Sequence, residues 1–175
     1  MRRRHPLPRI WLMTDERMGD RLWDALDRLP CGGGVVFRHY SFPLKKRRAL
    51  FERVARYARK RGLMLVIAGS DRLGRADGVH NQPRRGGGVV TRSVHSQREL
   101  TAATRHGADL VFASPVFATR SHPNATALGP VRLGLIIRGS RMPVVALGGM
   151  DTDRSRRVRG LGLHGWAGID AFLGS

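Results

Sequence analysis

The sequence predicts a compact TIM-like (β/α)8 barrel in which some helices are shortened or missing. The apolar runs at residues 108–113 and 144–147 lack the polar alternation of a half-exposed strand, which is typical of parallel strands covered on both faces. Eight strand candidates alternate with helices or loops within only 175 residues. Barrels of this type usually take ~200 residues or more, so some of the helices must be clipped or absent.

The strand candidates follow one another along almost the whole chain. They cover residues 9–15, 35–40, 63–68, 78–80, 89–95, 108–114, 143–147 and 165–169. Residues 1–8 precede them as a basic N-terminal tail. We therefore expect a single barrel domain over residues 9–175.

Apolar residues at helical spacing predict the first two helices. The first begins near Asp15 and places four apolar residues on one face, namely Met18, Leu22, Leu26 and Leu29. The second is strongly basic, runs from Pro43 to a stop at Gly62, and directs its Lys and Arg side chains, Arg47 among them, largely to solvent.

Capping residues and spacing predict the later connections. Ser96 followed by Glu99 forms a capping box that starts a helix after the fifth strand. Further helices are expected over residues 131–140 and from Asp151 onward. Residues 69–75 leave room only for a short turn or one helical turn, and residues 81–88 form a loop. Because of this loop after the fourth strand and the few residues after the eighth, we expect the fourth and eighth helices of the barrel to be reduced or absent.

The composition restricts the class of protein and the class of partner. With 32 Lys and Arg against 13 Asp and Glu, the net charge of +19 favours anionic partners, such as phosphorylated small molecules, nucleic acid or an acidic surface. Few aromatic residues and no mixed basic and aromatic tract argue against nucleic acid. The lone Cys31 excludes an internal disulfide framework. Without a signal peptide or a run of ~18 apolar residues, we expect a cytoplasmic protein with no membrane partner.

Polar residues and glycines collect where the strands end, and in a barrel these ends meet at one rim. They are Arg38, Ser70, Asp71, His80, Asn81, Ser93, His95, Thr119, Ser121, His122, Gly148, Gly149 and Asp170. A fixed cation, hydroxyls and backbone N–H groups of glycines suit phosphate oxygens. Arg38 could equally form an interior ion pair, and Ser93 with His95 could be a local hydrogen-bonded pair.

Several of these residues lie in segments that resemble a known family. The segments are S-x-H-S at 93–96, G-A-D at 107–109, P-V-F-x-T-x-S at 115–121 and the proline-preceded strand that ends in Gly148-Gly149, with A-D-G-V-H at 76–80 as a further match. Together these segments are similar to the thiamine phosphate synthase and thiazole tautomerase family. The resemblance covers most of the chain from residue 33 to the end.

The resemblance implies a transferase of thiamine biosynthesis. Synthases of the family condense hydroxymethylpyrimidine diphosphate with thiazole phosphate and release pyrophosphate. By resemblance, Arg38 binds the pyrophosphate and Ser93 assists its departure. The remaining substrate contacts are expected at His80, Thr119, Ser121, His122, Gly148, Gly149, Ile169 and Asp170. His122 replaces the usual lysine and joins Arg38 and Ser93 as a catalytic residue.

The resemblance also implies a Mg²⁺ cofactor, although the usual aspartates are changed. Where the family has Asn-Asp after the third strand, this chain has Ala68-Gly69, with Asp71 two places later as the candidate ligand. No carboxylate follows the fourth strand at residues 81–85. We expect arginines such as Arg84 and Arg85 to neutralise the pyrophosphate instead.

Two alternatives remain open at this point. A thiazole tautomerase-type isomerase needs no pyrophosphate site, but Pro115 stands where that branch has its histidine, and His122 lies seven residues further on. A non-catalytic barrel that binds a phosphate ligand or nucleic acid would also fit the charge. A homo-oligomer is compatible with either alternative.

Overall fold

A computed structural model describes residues 6–119 and 126–173 and contains a closed eight-stranded parallel barrel. The strands are β1 (Ile10–Met13), β2 (Gly34–Phe37), β3 (Met64–Ala68), β4 (Gly78–His80), β5 (Val89–Val94), β6 (Leu110–Ala113), β7 (Val144–Leu147) and β8 (Gly165–Gly168). Each strand pairs with its sequence neighbour, and β8 pairs with β1 to close the barrel. The predicted barrel is confirmed.

Within residues 6–119 and 126–173, five α-helices surround the barrel, and three short 3-10 turns supplement them. The helices are α1 (Arg21–Asp27), α2 (Leu44–Arg61), α3 (Gln97–Arg105), α4 (Gly129–Ile137) and α5 (Thr152–Arg157). Residues 69–77 and 81–88, all of which the structure describes, contain no helix, and only the 3-10 turn Asp170–Phe172 follows β8. The predicted shortening is therefore also confirmed. In the described part of the chain, no helix combines the length and apolar character needed to cross a membrane.

The first helix begins later than the sequence predicts. The side chain of Asp15 accepts a hydrogen bond from the backbone N–H of Arg17 and caps a 3-10 turn. Gly19, with φ of +51°, ends that turn, and α1 starts only at Arg21. The predicted apolar face is nevertheless buried, because Met18 and Leu22 both lie in the core.

The described residues form one hydrophobic cluster inside the barrel and two outside it. Inside, Trp11 meets Phe112 edge to face at 5.4 Å between ring centroids. A Cβ at Gly34 would lie 2.2 Å from the ring of Trp11, so β2 can pass this indole only as glycine. Outside, one cluster packs β1–β3 against α1 and α2, and the other packs β5–β7 against α3 and α4.

The prediction that Arg47 faces solvent is wrong. Its side chain is 2% exposed, and its guanidinium lies beneath the ends of β2 and β3. Arg47 occupies the same face of α2 as Phe51 and Val54, which are buried. Spacings of four and seven residues place these positions on one side of a helix. The spacing in the sequence therefore indicated that Arg47 faces inward, but its charge led to the opposite prediction.

Candidate functional site

The carboxyl ends of the strands enclose a cavity of about 200 Å³. Six of the residues expected at the site line it, namely Arg38, Thr119, Gly148, Gly149, Ile169 and Asp170. His95, Ser114, Pro115, Leu147, Met150 and Gly168 complete the wall. The structure thus brings together residues that follow β2, β6, β7 and β8, at the end of the barrel where ligands of this fold bind.

One wall of the cavity is backbone at the end of β7. Gly148 and Gly149 have φ of +95° and +58°, in the region that favours glycine. A Cβ at Gly148 would lie 2.8 Å from Pro115, and one at Gly149 would lie 2.4 Å from the carbonyl of Ala118. The loop after β6 therefore packs directly on these glycines, with Thr119 beside them in the cavity wall.

The opposite wall contains a guanidinium held in a fixed orientation. Arg38 donates from Nε to the carbonyl of Thr14 at 2.7 Å and from Nη2 to Asp15 at 2.8 Å. Its backbone N–H donates to Oγ1 of Thr14 at 2.9 Å. None of these bonds uses Nη1, and the side chain is 21% exposed where it lines the cavity. Arg38 thus combines an interior ion pair with a surface offered to an anion.

Asp15 holds this cationic wall in place. Burial alone would raise the pKa of Asp15, but hydrogen bonds from Arg17 and the charge of Arg38 bring it below the usual value. The pKa of Arg17 is raised chiefly by its hydrogen bond with Asp15 and further by the charge of Asp170. The carboxylate that Asp170 places beside the cavity is therefore countered by a neighbouring guanidinium.

His80 and Ser93 lie next to each other at the ends of β4 and β5, where His80 is buried and Ser93 is half-buried. Nδ1 of His80 is 2.9 Å from Oγ1 of Thr91, and its Nε2 is 3.3 Å from Oγ of Ser93. Burial, followed by the charges of Arg38 and Arg92, lowers the pKa of His80 to about 3. The imidazole is consequently neutral and joins two hydroxyls. Ser93 touches this ring and does not line the cavity.

His95 lines the cavity, although the sequence analysis named it only as a strand-end residue and assigned it no substrate contact. It is exposed, and its Nδ1 is 2.6 Å from the carbonyl oxygen of Ser114. A carbonyl can only accept, so Nδ1 carries the proton and Nε2 is the acceptor of the neutral ring. Its place immediately after β5 was the available signal, and a local pair with Ser93 was the alternative that the sequence left open.

The candidate metal ligand Asp71 is engaged in an ion pair. Its Oδ2 accepts from Nη1 of the buried Arg47 at 2.7 Å. Among residues 6–119 and 126–173, no group of three or more His, Cys, Asp or Glu side chains is arranged to hold a metal ion. Mg²⁺ prefers one or two carboxylates together with substrate phosphates, so the donor set around Asp71 does not fit the implied cofactor.

Arg84 and Arg85, which the sequence analysis expected to neutralise the pyrophosphate, are both hydrogen-bonded to other parts of the chain. Arg84 donates to the carbonyl of Gly107 and to Asp109, both of which precede β6, so it lies at the opposite end of the barrel from the cavity. Arg85 donates to the carbonyl of Ser70 after β3. Ser121 and His122 lie outside the described residues.

Comparisons with known proteins agree with this geometry. A family model described as "Thiamine monophosphate synthase" matches residues 11–172. A putative thiamine-phosphate synthase 2 of Aquifex aeolicus is 29% identical over 95% of this chain and 98% of its own length. A thiamine-phosphate synthase of Geobacillus thermodenitrificans is 31% identical over 87% of this chain and 76% of its own. The solved thiamine phosphate pyrophosphorylase from Pyrococcus furiosus superposes with a TM-score of 0.79 at 26% identity, covering 97% of this chain and 88% of that one.

Proposed function

The chain belongs to the thiamine monophosphate synthase family, and from this premise we propose that residues 9–175 act as one domain that makes thiamine phosphate. The substrates are hydroxymethylpyrimidine diphosphate and thiazole phosphate. The observation that supports this most directly is the cavity, which has a guanidinium on one wall and glycine backbone with a threonine on the other. Two phosphorylated substrates need two anion-binding surfaces, and the cavity offers both. The synthase names of the relatives favour this function over an isomerase or a ligand sensor.

In the proposed reaction, the thiazole nitrogen forms a bond to the pyrimidine methylene carbon. The bond from that carbon to the diphosphate oxygen breaks, and pyrophosphate leaves with the electron pair. Arg38 binds the diphosphate, and Thr119, Ser121, Gly148 and Gly149 bind the thiazole phosphate. The protein contributes orientation and fixed charge, which supply much of the rate enhancement when a reaction has little need of covalent catalysis.

Ser93 and His122 have further roles in the proposed reaction, whereas Mg²⁺ has none. Ser93 assists the departing pyrophosphate through the hydroxyl that His80 orients, and His122 supplies a second cationic or hydrogen-bonding group from the loop after β6. The family's Mg²⁺ has no matching donor set among the described residues, because Asp71 is paired with Arg47. No step of the proposed reaction is therefore assigned to it.

Turnover by the purified protein tests the proposal. Both substrates are supplied, and the formation of thiamine phosphate and pyrophosphate is followed. We expect product, and we expect Arg38→Ala to lower kcat/KM about 100-fold, the scale reported for the loss of one catalytic hydrogen-bond donor. The matched control is Arg61→Ala, because Arg61 is also paired with an aspartate and 28% exposed, but belongs to the far end of α2. Absence of product, or equal losses in the two variants, would contradict the proposal.

A further inference from the structure

Arg47 is a buried cation that is fixed at the end of the barrel where the cavity lies. Nε and Nη2 both donate to the carbonyl of Arg38, at 3.0 and 2.6 Å, and Nη2 also donates to the carbonyl of Ala68 at 2.6 Å. Nη1 donates to Asp71 at 2.7 Å. Because two of these acceptors are backbone groups at the ends of β2 and β3, the guanidinium cannot turn away without breaking several bonds at once.

This charge is permanent and has little compensation from solvent. Arg47 is 2% exposed, whereas the carboxylate of its partner Asp71 is 42% exposed. Arginine stays protonated in proteins, so burial cannot neutralise it. A Cβ at Gly69 would lie 3.4 Å from Nη1 and Nη2 of Arg47, which is close to ordinary contact, so it is the φ of +86° that favours glycine at this position.

A divalent cation at Asp71 would be repelled by this guanidinium. Mg²⁺ bound to the same carboxylate oxygen at ~2.1 Å would lie less than roughly 5 Å from Nη1. The other carboxylates near the cavity offer no second ligand pair, because Asp15 is bonded to Arg17 and Arg38, and Asp170 interacts electrostatically with Arg17. The charges around Asp71 therefore disfavour a bound divalent cation.

We infer that Arg47, acting with Arg38, takes over the charge neutralisation of the substrate diphosphate, so that this chain binds diphosphate without a divalent metal. The inference rests on the proposed function. The two guanidinium groups belong to one unit, because Arg47 binds the backbone carbonyl of Arg38. Arg38 contacts the anion in the cavity, and Arg47 is a positioning residue that holds the end of β2 and adds its charge from below. Arg38 is paired with Asp15 and Arg47 with Asp71, and each carboxylate competes with the substrate anion for its arginine. Neutralising such an aspartate should therefore strengthen the binding of the anion.

The test is the binding of inorganic pyrophosphate, measured by calorimetry with excess EDTA and again with magnesium. We expect binding in EDTA to be at least as tight as in magnesium. We expect Asp71→Asn to raise the affinity in EDTA about fivefold, because it removes a negative charge near the anion and releases the charge of Arg47. If Asp71 is a metal ligand, binding will require magnesium and Asp71→Asn will weaken it, and either result overturns the inference. Asp27→Asn is the matched control, since Asp27 is paired with Arg61 at the far end of α2.

Turnover measured under the same two conditions separates this inference from the proposed function. Thiamine phosphate formed in EDTA supports both. Product that requires added magnesium leaves the synthase function in place and overturns the inference. If no product forms under either condition, the proposed function fails and the calorimetry alone decides: metal-independent binding of pyrophosphate supports the inference, and magnesium-dependent binding overturns it.

Discussion

The neutral ring of His80 connects two hydroxyls inside the barrel. Because its pKa is lowered to about 3, the ring keeps a single N–H over the whole neutral range. One of its nitrogens therefore donates and the other accepts, which gives the row Thr91, His80 and Ser93 a single hydrogen-bond direction. Because the hydroxyl of Thr91 donates to the carbonyl of Val79 at 3.5 Å, Nδ1 of His80 donates to Thr91 and Nε2 accepts from the hydroxyl of Ser93. His80 then acts through Ser93, as a positioning residue.

The depressed pKa of His80 predicts how stability depends on pH. The ordinary pKa of 6.5 applies to the unfolded chain, so between pH 6.5 and about 3 the unfolded state binds a proton that the folded state does not. The stabilisation is complete above pH 6.5 and is lost as the pH falls. From pH 7 to pH 5 this histidine alone should remove about 2 kcal/mol from the free energy of unfolding.

Urea denaturation of the wild type and of His80→Gln at the two pH values measures this contribution. We expect the wild type to lose about 2 kcal/mol more than His80→Gln between pH 7 and pH 5. His106→Gln serves as the control because His106 is exposed at the end of α3, and it should follow the wild type. Parallel losses in the wild type and in His80→Gln would show that the folded protein takes up the proton at His80.

Residue types at strand ends predicted much of the site but not its electrostatics. Arg38 and Gly148 could be named because a lone arginine after a covered strand and a glycine pair after another are conspicuous in sequence. Arg47 was missed because a charged residue on a helix is normally solvated, and only its backbone acceptors, at Arg38 and Ala68, explain its burial. Ion pairs between strand ends depend on side-chain positions that a linear pattern does not contain.

At the scale of elements, the strands could be predicted because both of their faces are covered. The apolar runs at 108–113 and 144–147 contain β6 and β7. The first helix was harder, because apolar spacing alone does not register the interruption that Gly19 introduces with its positive φ. The capping box before α3 is the clearest local signal. Oγ of Ser96 accepts from the backbone N–H of Glu99 at 3.2 Å, and the Glu99 carboxylate accepts from the backbone N–H of His95 at 2.9 Å.

Removal of this cap should destabilise the protein measurably. Ser96→Ala leaves the N–H of Glu99 without its side-chain acceptor, and we expect the free energy of unfolding to fall by about 1 kcal/mol. Thr101→Ala is the control in the same helix, because its hydroxyl donates to the carbonyl of Gln97 within the helix and the position is exposed. That change should be neutral or slightly stabilising, since alanine is the better helix former. Equal effects in urea denaturation would contradict a specific role for the cap.

For the whole molecule, closure of the barrel depends on places where backbones approach very closely. The pair β1–β8 closes the ring, and the N–H of Trp166 donates to the carbonyl of Arg9 at 2.9 Å. A Cβ at Gly165 would lie 1.7 Å from that same carbonyl oxygen, and one at Gly78 would lie 2.0 Å from the carbonyl oxygen of Val89. The general sequence pattern predicts that the sheet closes, but it does not indicate which glycines permit the closure, because these contacts join distant parts of the chain.

Substitution of Gly165 should therefore damage the barrel as a whole. In Gly165→Ala, the new methyl group must displace the carbonyl of Arg9, and with it the hydrogen bond that joins β8 to β1, so we expect a loss of about 3 kcal/mol or more in the free energy of unfolding. Gly160→Ala is the control, since a Cβ at that position meets nothing within 4 Å and the φ of Gly160 is not positive. It should be neutral or stabilise by about 0.5 kcal/mol. Thermal and urea denaturation of the two variants provides the comparison, and a Gly165→Ala protein as stable as Gly160→Ala would show that β8 can leave β1 without cost to the closed barrel.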